Sequence, residues 1–276
     1  MRYLLVCIVF FHFRMAVDAQ APPPAQPTYT QEAEADVTFQ FSSPQSLYLQ
    51  RLLKQYPLHD VVKDAGSDLE RAVRVCHWVH ERWKHNGINN PKKSDAISIL
   101  EEAAEGKRFR CVEYSTVLTA ALSALDIPAR SLGLKTADME TRLSGAGHVV
   151  TEAYLRDQKK WIMLDGQWDT VMLLEGKPLH AVELQRALAE KNPQLKIRSL
   201  STVKEKEYLH WIAPYLYYLD TSLDQRFDVK RDPGKLMLVP VGAKNPTVFQ
   251  RIVPMGKVKY THSEQAFYTT PTMERK

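Results

Sequence analysis

The sequence predicts an α+β domain in which helices pack on an antiparallel sheet, with a β-rich C-terminal extension. Three observations predict it. Residues 67–125 carry three stretches whose apolar positions recur with helical spacing. Residues 147–165 switch to a period of two, interrupted by a polar turn, which is the pattern of a strand hairpin. The last third holds short apolar runs separated by Gly and Pro, which are further strands and turns. With 44% hydrophobic and 25% charged residues over 276 positions, the chain has globular proportions and enough length for a full core.

The beginning differs from the rest. "MRYLLVCIVFFHFRMAVDAQ" has Arg2, an apolar run from Tyr3 to Phe13, and the small residues Val17 and Ala19, the layout of a secretory signal peptide, although His12 and Arg14 interrupt its second half. The run is too short to cross a bilayer. We expect cleavage after Ala19, a secreted or periplasmic protein, and no integral membrane span in the mature chain. "APPPAQPTYTQEAEA" follows as a flexible linker with little to bury. The expected organisation is a signal peptide over 1–19, a linker over 20–36, a core domain over 37–200, and an extension over 201–276 packed on that core.

The formal charge of +5 comes from 37 basic and 32 acidic residues scattered along the chain. No basic block with interleaved aromatics occurs, so nucleic acid is not an expected partner. There is no internal repeat, no C-x-x-C pair, and no spacing suited to a zinc or calcium loop; neither a cofactor nor a metal is expected.

The first helix is "SDLERAVRVCHWVHERWKHNG". Ser67 and Glu70 form a capping box, Leu69, Ala72, Val73, Cys76, Val79 and Trp83 share its apolar face, and Asn86 and Gly87 stop it. Ser94 is the expected cap of the second, "DAISILEEAAEG", which ends at Gly106. The third starts at Arg110 or Cys111, carries the stripe Val117, Leu118, Ala121, Leu122 and Leu125, and ends at "DIP". Cys111 therefore falls in a first helical turn. There, unpaired N–H groups and the positive end of the dipole favour a thiolate and can receive an oxyanion. The competing readings are a small core residue, or a disulfide with Cys76, the other cysteine left after cleavage. Cys76 faces a core, so both thiols are expected unbridged.

A strand, "ARSLGLKT", comes next, then the hairpin "GHVVTEAYLRDQKKWIMLDGQWD". His148, Val150, Glu152 and Tyr154 alternate with Val149, Thr151, Ala153 and Leu155, "RDQKK" turns, and Trp161 to Asp165 return. If Leu155 lies opposite Lys160, His148 comes close to Asp165, since opposed residues in an antiparallel pair share a face. A carboxylate beside an imidazole fixes the ring and stabilises its cation, which can hold a cysteine as thiolate. Singly, His148 could be a solvated strand-start residue and Asp165 a turn residue. Together with a helix-opening cysteine they supply every part of a thiol triad.

These residues resemble the transglutaminase-like superfamily, whose core is similar to that of papain-type cysteine proteases. "CVEYSTVLTAALSALDIPARSLGL" is similar to that family's cysteine-led apolar helix and "GIPAR" turn, and "GHVVTEAYL" to its "GHAWTEVYL". The specific part covers Gly106 to Asp169. It implies Cys111 as nucleophile, His148 as base and Asp165 as orienting acid, with attack on a peptide or carboxamide carbonyl of a peptide or protein substrate, possibly glycosylated. Two departures are present. Phe109 and Arg110 precede the cysteine where Gly and one residue are usual, which predicts a bulkier approach to the thiol, and Val150 replaces a common Trp. Glu152 matches a frequent family position and is expected to pair with a nearby base. Trp83 or Asn90 could supply a second oxyanion donor, and Gln167, Trp168 and Asp169 could line the cleft.

Residues 180–191 have helical spacing. "HWIAPYLYYLDTSL" concentrates aromatics as a core would; "KLMLVPVGAKNPTVFQRIV" and "KVKYTHSEQAFYT" hold short strands that extend the sheet or cover one end of the cleft. The expected function is an exported cysteine hydrolase or acyltransferase of the secreted bacterial type, working through a thioester, with hydrolysis favoured over transfer. The alternatives are a binding scaffold that keeps the fold and a glycopeptide amidase resembling peptide N-glycanases.

Overall fold

The computed structural model describes residues 26–34, 37–227, 229 and 234–271. The expected signal peptide lies outside the described residues. In chain order the elements are α1 (Leu47–Gln55), α2 (Leu58–Val62), α3 (Asp68–His80), α4 (Ala96–Ala104), α5 (Cys111–Ala124), β1 (Ala129–Lys135), β2 (Gly147–Leu155), β3 (Lys160–Asp165), β4 (Thr170–Leu174), β5 (Lys177–Pro178), α6 (Ala181–Ala189), β6 (Leu195–Arg198), α7 (Glu205–Ile212), β7 (Tyr218–Ser222), β8 (Lys235–Leu238), β9 (Val248–Phe249), β10 (Val253–Pro254), β11 (Val258–Thr261) and α8 (Glu264–Phe267).

The main sheet runs β11-β8-β7-β1-β2-β3-β4-β5, with β6 also on β4. All its pairs are antiparallel except β11 with β8. β9 and β10 form a separate ribbon. Helices cover both faces. On one side α1, α3, α4 and α5 pack with Ala129, Ala153, Leu155, Ile162 and Leu164; on the other Leu132, Leu134, Val150 and Met163 meet Val182, Leu184, Tyr208, Ile212 and Phe267. Alternate residues of β2 thus enter different cores, and the strand is buried on both sides. No helix among the described residues is long and apolar enough to cross a membrane.

α5 is the central helix of the first layer, and nearly its whole circumference is buried. It therefore tolerates polar residues only where they are bonded: the Ser115 hydroxyl donates to Val150 O at 2.6 Å. The expected helix over 67–85 ends sooner, at His80, and Glu70 takes the N–H of Gly66 instead of that of Ser67. Asp95, one residue after the expected Ser94, caps α4 by accepting from Ser98 N at 3.1 Å. Thr28 to Thr30, in the stretch assigned to a linker, bond to Val241, His262 and Glu264 along the C-terminal strands.

Beyond residue 200, β7, β8 and β11 join the same sheet directly, because β7 pairs with β1 and β8, and β8 with β11. The contact at Gly133 requires glycine: a Cβ there would overlap Asp220 Oδ1, whose carboxylate pairs with Lys135. A buried ion pair also ties the two parts of the chain. Arg130 and Glu152 are both fully buried and bonded at 2.7 Å; Arg130 donates on to Phe267 O and Glu152 accepts from Tyr268 OH. Glu152 thus has the pairing role expected of it.

Candidate active site

The start of α5 is fixed from both sides of the chain. Phe109 O accepts from Asn86 N at 2.8 Å, and the Glu113 carboxylate accepts from Arg110 N at 3.0 Å while also pairing with its guanidinium. That leaves Cys111 as the first helical residue, half-buried, at the end where backbone N–H groups lack intrahelical partners. Phe109, one of the two residues expected to crowd the thiol, is a residue of the first core. Its ring is fully buried, edge-on to Trp83 at 5.8 Å, because the apolar layer under α5 has room for it. Val150 is likewise a buried residue of the second core. Cys76 is a free thiol in the core, and burial pushes its pKa well up.

The hairpin has the expected register at its turn, with Leu155 opposite Lys160, but strand pairing stops at Thr151 and Leu164. Beyond that point the strands part: His148 pairs with Leu134 of β1 and Asp165 with Thr170 of β4. The two side chains still meet diagonally, His148 Nε2 donating to Asp165 Oδ2 at 2.7 Å. With Nε2 engaged, Nδ1 is the ring nitrogen left for the Cys111 thiol, which is also a hydrogen-bonding neighbour of the ring. Burial opposes a charge on His148, yet the Asp165 carboxylate, seconded by Cys111, outweighs it and raises the imidazole pKa to about 10. The ring therefore carries its proton at neutral pH. Partial burial and the charge of His148 hold His85, on the loop after α3, below the ordinary histidine value.

Asp165 is wholly buried and fully occupied. Its Oδ1 accepts from Gln167 N at 3.0 Å and Trp168 N at 3.3 Å; its Oδ2 accepts from His148 and from Tyr208 OH at 3.1 Å. The turn that supplies two of them is itself anchored: Asp169 accepts from His77 Nδ1 at 2.9 Å and Ser201 Oγ at 2.8 Å, and Gln167 O meets His80 Nδ1 at 3.0 Å. Gln167 and Asp169 are thus parts of the support beneath the site. Trp168, at 37% exposure, is the surface-facing member.

The aromatic stretch assigned to core does more than fill space. Trp211 lies edge-to-face on the His148 ring at 4.9 Å, with Tyr215 at 6.2 Å, and Trp168 packs on Trp211 at 5.2 Å. These rings exclude water from the imidazole–carboxylate contact, which strengthens it. Sequence reasoning missed Tyr208 altogether. Its spacing from Ile212 and the acidic Glu205 and Glu207 mark a short amphipathic helix, but nothing local points it at Asp165. Of the two candidate oxyanion donors, Asn90 is exposed and donates to Ile88 O at 3.4 Å, whereas Trp83 is buried and its Nε1 has no hydrogen-bond partner. Among the described residues no group of His, Cys, Asp or Glu gathers as a metal site.

Residues 58–166 match the family model of the Transglutaminase-like superfamily. The matched stretch runs from α2 to the residue after β3 and includes Cys111, His148 and Asp165. A comparison with curated proteins gives no match. Among solved structures the chain is similar to a protein of Cytophaga hutchinsonii described as a candidate cysteine protease, with 15% identity and a TM-score of 0.36 over 62% of this chain and 58% of that one. It is also similar to red sea bream transglutaminase, with 11% identity and a TM-score of 0.35 over 63% of this chain and 33% of that one. Calcium-bound LapG of Legionella pneumophila shows 13% identity and a TM-score of 0.31 over 59% of this chain and 96% of that one. This chain thus spans less than two thirds of the Cytophaga and sea bream proteins.

Proposed function

We propose that the protein is a cysteine hydrolase acting on amide bonds of peptide or protein substrates, with Cys111 as nucleophile, His148 as acid and base, and Asp165 as the orienting anion. The observation that carries this is the 2.7 Å His148–Asp165 bond beside a cysteine at a helix start. The Cys111 sulfur attacks the carbonyl carbon, and the carbonyl oxygen takes the negative charge next to the first-turn N–H groups of α5. Trp83 Nε1, which lacks a partner, is the better candidate for a second donor. The His148 imidazolium gives its proton to the leaving amine as the C–N bond breaks, which leaves a thioester and a neutral ring. Neutral His148 then takes a proton from water, the hydroxide displaces the sulfur, and a carboxylic acid departs and loses its proton to solvent, while the Cys111 thiolate and the charged His148 are restored.

Transfer to an amine would follow the same path with an amine in place of that water. We place the reaction outside the cytoplasm because residues 1–19 have the signal-peptide layout. N-terminal sequencing of the exported chain should begin near Gln20.

The test is turnover of a peptide mixture followed by mass spectrometry, with and without a primary amine. New carboxyl termini, a thioester adduct on Cys111, and loss of both in Cys111→Ala are expected. A folded wild-type protein that forms no adduct while still binding peptide would make it a scaffold; release of a glycan from asparagine would make it a glycopeptide amidase.

A further inference from the structure

We infer that Tyr208, supplied by α7 from the C-terminal part of the chain, is a positioning residue for this site, acting through Asp165 to hold His148 in line. The inference rests on the thiol chemistry proposed above. The torsion that turns a carboxylate about its last bond has a broad, soft profile, so an aspartate is fixed only by what its oxygens bond to. On Asp165 the two oxygens are held differently. Oδ1 is anchored by N–H groups of its own turn, Gln167 and Trp168, which move with it. Oδ2, the oxygen that takes His148 Nε2, has its other donor from a different element, the Tyr208 hydroxyl at 3.1 Å. That bond sets the plane of the carboxylate against the rest of the molecule and so the direction in which the imidazole must point.

The surroundings suit such a role. Tyr208 is buried, its ring between Trp168 at 5.8 Å and Trp211 at 6.0 Å, which fixes where the hydroxyl stands. Burial and the facing carboxylate push its pKa well above the ordinary phenol value, so it remains a donor at any working pH. The titratable groups that bear on the pair are Cys111 and Tyr114 from α5, His85 from the loop after α3, and Cys76 from α3; the Tyr114 hydroxyl is committed to Trp83 O. The thiol of Cys76 is itself held protonated by burial. None of them could take over as a donor to Oδ2 from the side of α7.

The experiment is the pH dependence of iodoacetamide alkylation at Cys111 in the full chain, comparing wild type, Tyr208→Phe and Asp165→Asn. The wild type should react readily at pH 6, with a high-pH limb set by His148. Tyr208→Phe should keep its circular dichroism and lower the rate at pH 6 by about threefold to tenfold. Its limb should move down by about half a pH unit or more, and kcat on a peptide substrate should fall with KM unchanged. If Tyr208→Phe does not fold, 4-aminophenylalanine and 4-methylphenylalanine at position 208 fill the hydroxyl's volume with and without a donor, and only the first should keep the wild-type profile. Superimposed profiles, or a limb that moves upward, would overturn the inference while leaving the thiol mechanism standing. A wild-type profile like that of an ordinary thiol, near 8.5, would overturn both.

Discussion

Asp165→Asn exchanges a carboxylate for an amide of the same shape, and the structure fixes what that should do to His148. The wild-type imidazole rises from an ordinary 6.5 to about 10, which at ~1.4 kcal/mol per pH unit is on the order of 5 kcal/mol in favour of the cation. The largest single influence on the ring is burial, which opposes charge; the carboxylate reverses it. With the carboxylate gone, burial is opposed only by Cys111, whose separate influences on the ring are each smaller, and the ring should fall below 6.5, neutral at pH 7. The linkage then changes sign. In the wild type His148 contributes stability that is fully present below its unfolded value and is lost as pH rises through about 10. In Asp165→Asn the unfolded chain binds the proton more tightly, so this contribution should grow as pH rises from 5 towards 7. Urea unfolding across pH 5 to 9.5 reads both slopes. Alkylation of Cys111 gives the chemical counterpart: loss of the cation should slow labelling at pH 6 by about 10²-fold or more, and peptide turnover should fall by about 10⁴, as in serine triads that lose their acid. A variant with the wild-type stability slope and labelling profile would show that the carboxylate does not govern the ring.

The other expectations concern the fold around the site. Glu152→Gln leaves Arg130 buried without its counter-charge, among the rings of Phe39, Trp161, Phe267 and Tyr268, and should cost about 3 to 5 kcal/mol in denaturant unfolding. Gly133→Ala drives a methyl into Asp220 against Lys135 and should destabilise by about 1 to 3 kcal/mol, whereas alanine at the exposed, positive-φ Gly145, where a Cβ meets nothing, should cost only the left-handed strain of about 1 kcal/mol. Mass spectrometry of the unfolded chain from Gln20 onward, without reductant, should find two alkylatable thiols, and in the folded protein Cys111 should label while buried Cys76 does not.

The parts of the site legible in the sequence are those written in local patterns. A helix that opens at Cys111 is announced by the change from charged loop to apolar stripe, and the β2–β3 hairpin by a period of two with a polar break. Register follows from the length of that turn, so the approach of His148 to Asp165 could be inferred, although the strands splay and the contact is diagonal. Errors of a residue or a few arose where neighbours compete for one role: Ser94 and Asp95 can both cap α4, and the apolar face of α3 continues past the point where the helix ends. The linker composition likewise hid Thr28 to Thr30, which have few apolar groups and hold on through backbone bonds to Val241, His262 and Glu264, far along the chain.

What could not be read was non-local. β4 to β6 carry no strong period, because they are short and their burial is set by neighbours brought in from elsewhere, whereas α1 was legible and passed over, since Tyr48, Leu49, Leu52 and Leu53 recur with helical spacing. The aromatic run around Trp211 shows what composition alone leaves out of such segments. Trp211, Tyr215 and Tyr208 have the hydrophobicity of core residues and do pack as one, yet the surface they pack on is His148, Asp165 and Trp168. β7 pairs with β1 and so brings the end of α7 back over the strand ends that carry the histidine. A tyrosine hydroxyl buried there must find an acceptor, and the carboxylate of Asp165 is the acceptor within reach. The need for a partner is a property of the residue, visible in any sequence; which partner it finds is a property of the sheet order, and only the fold supplies that.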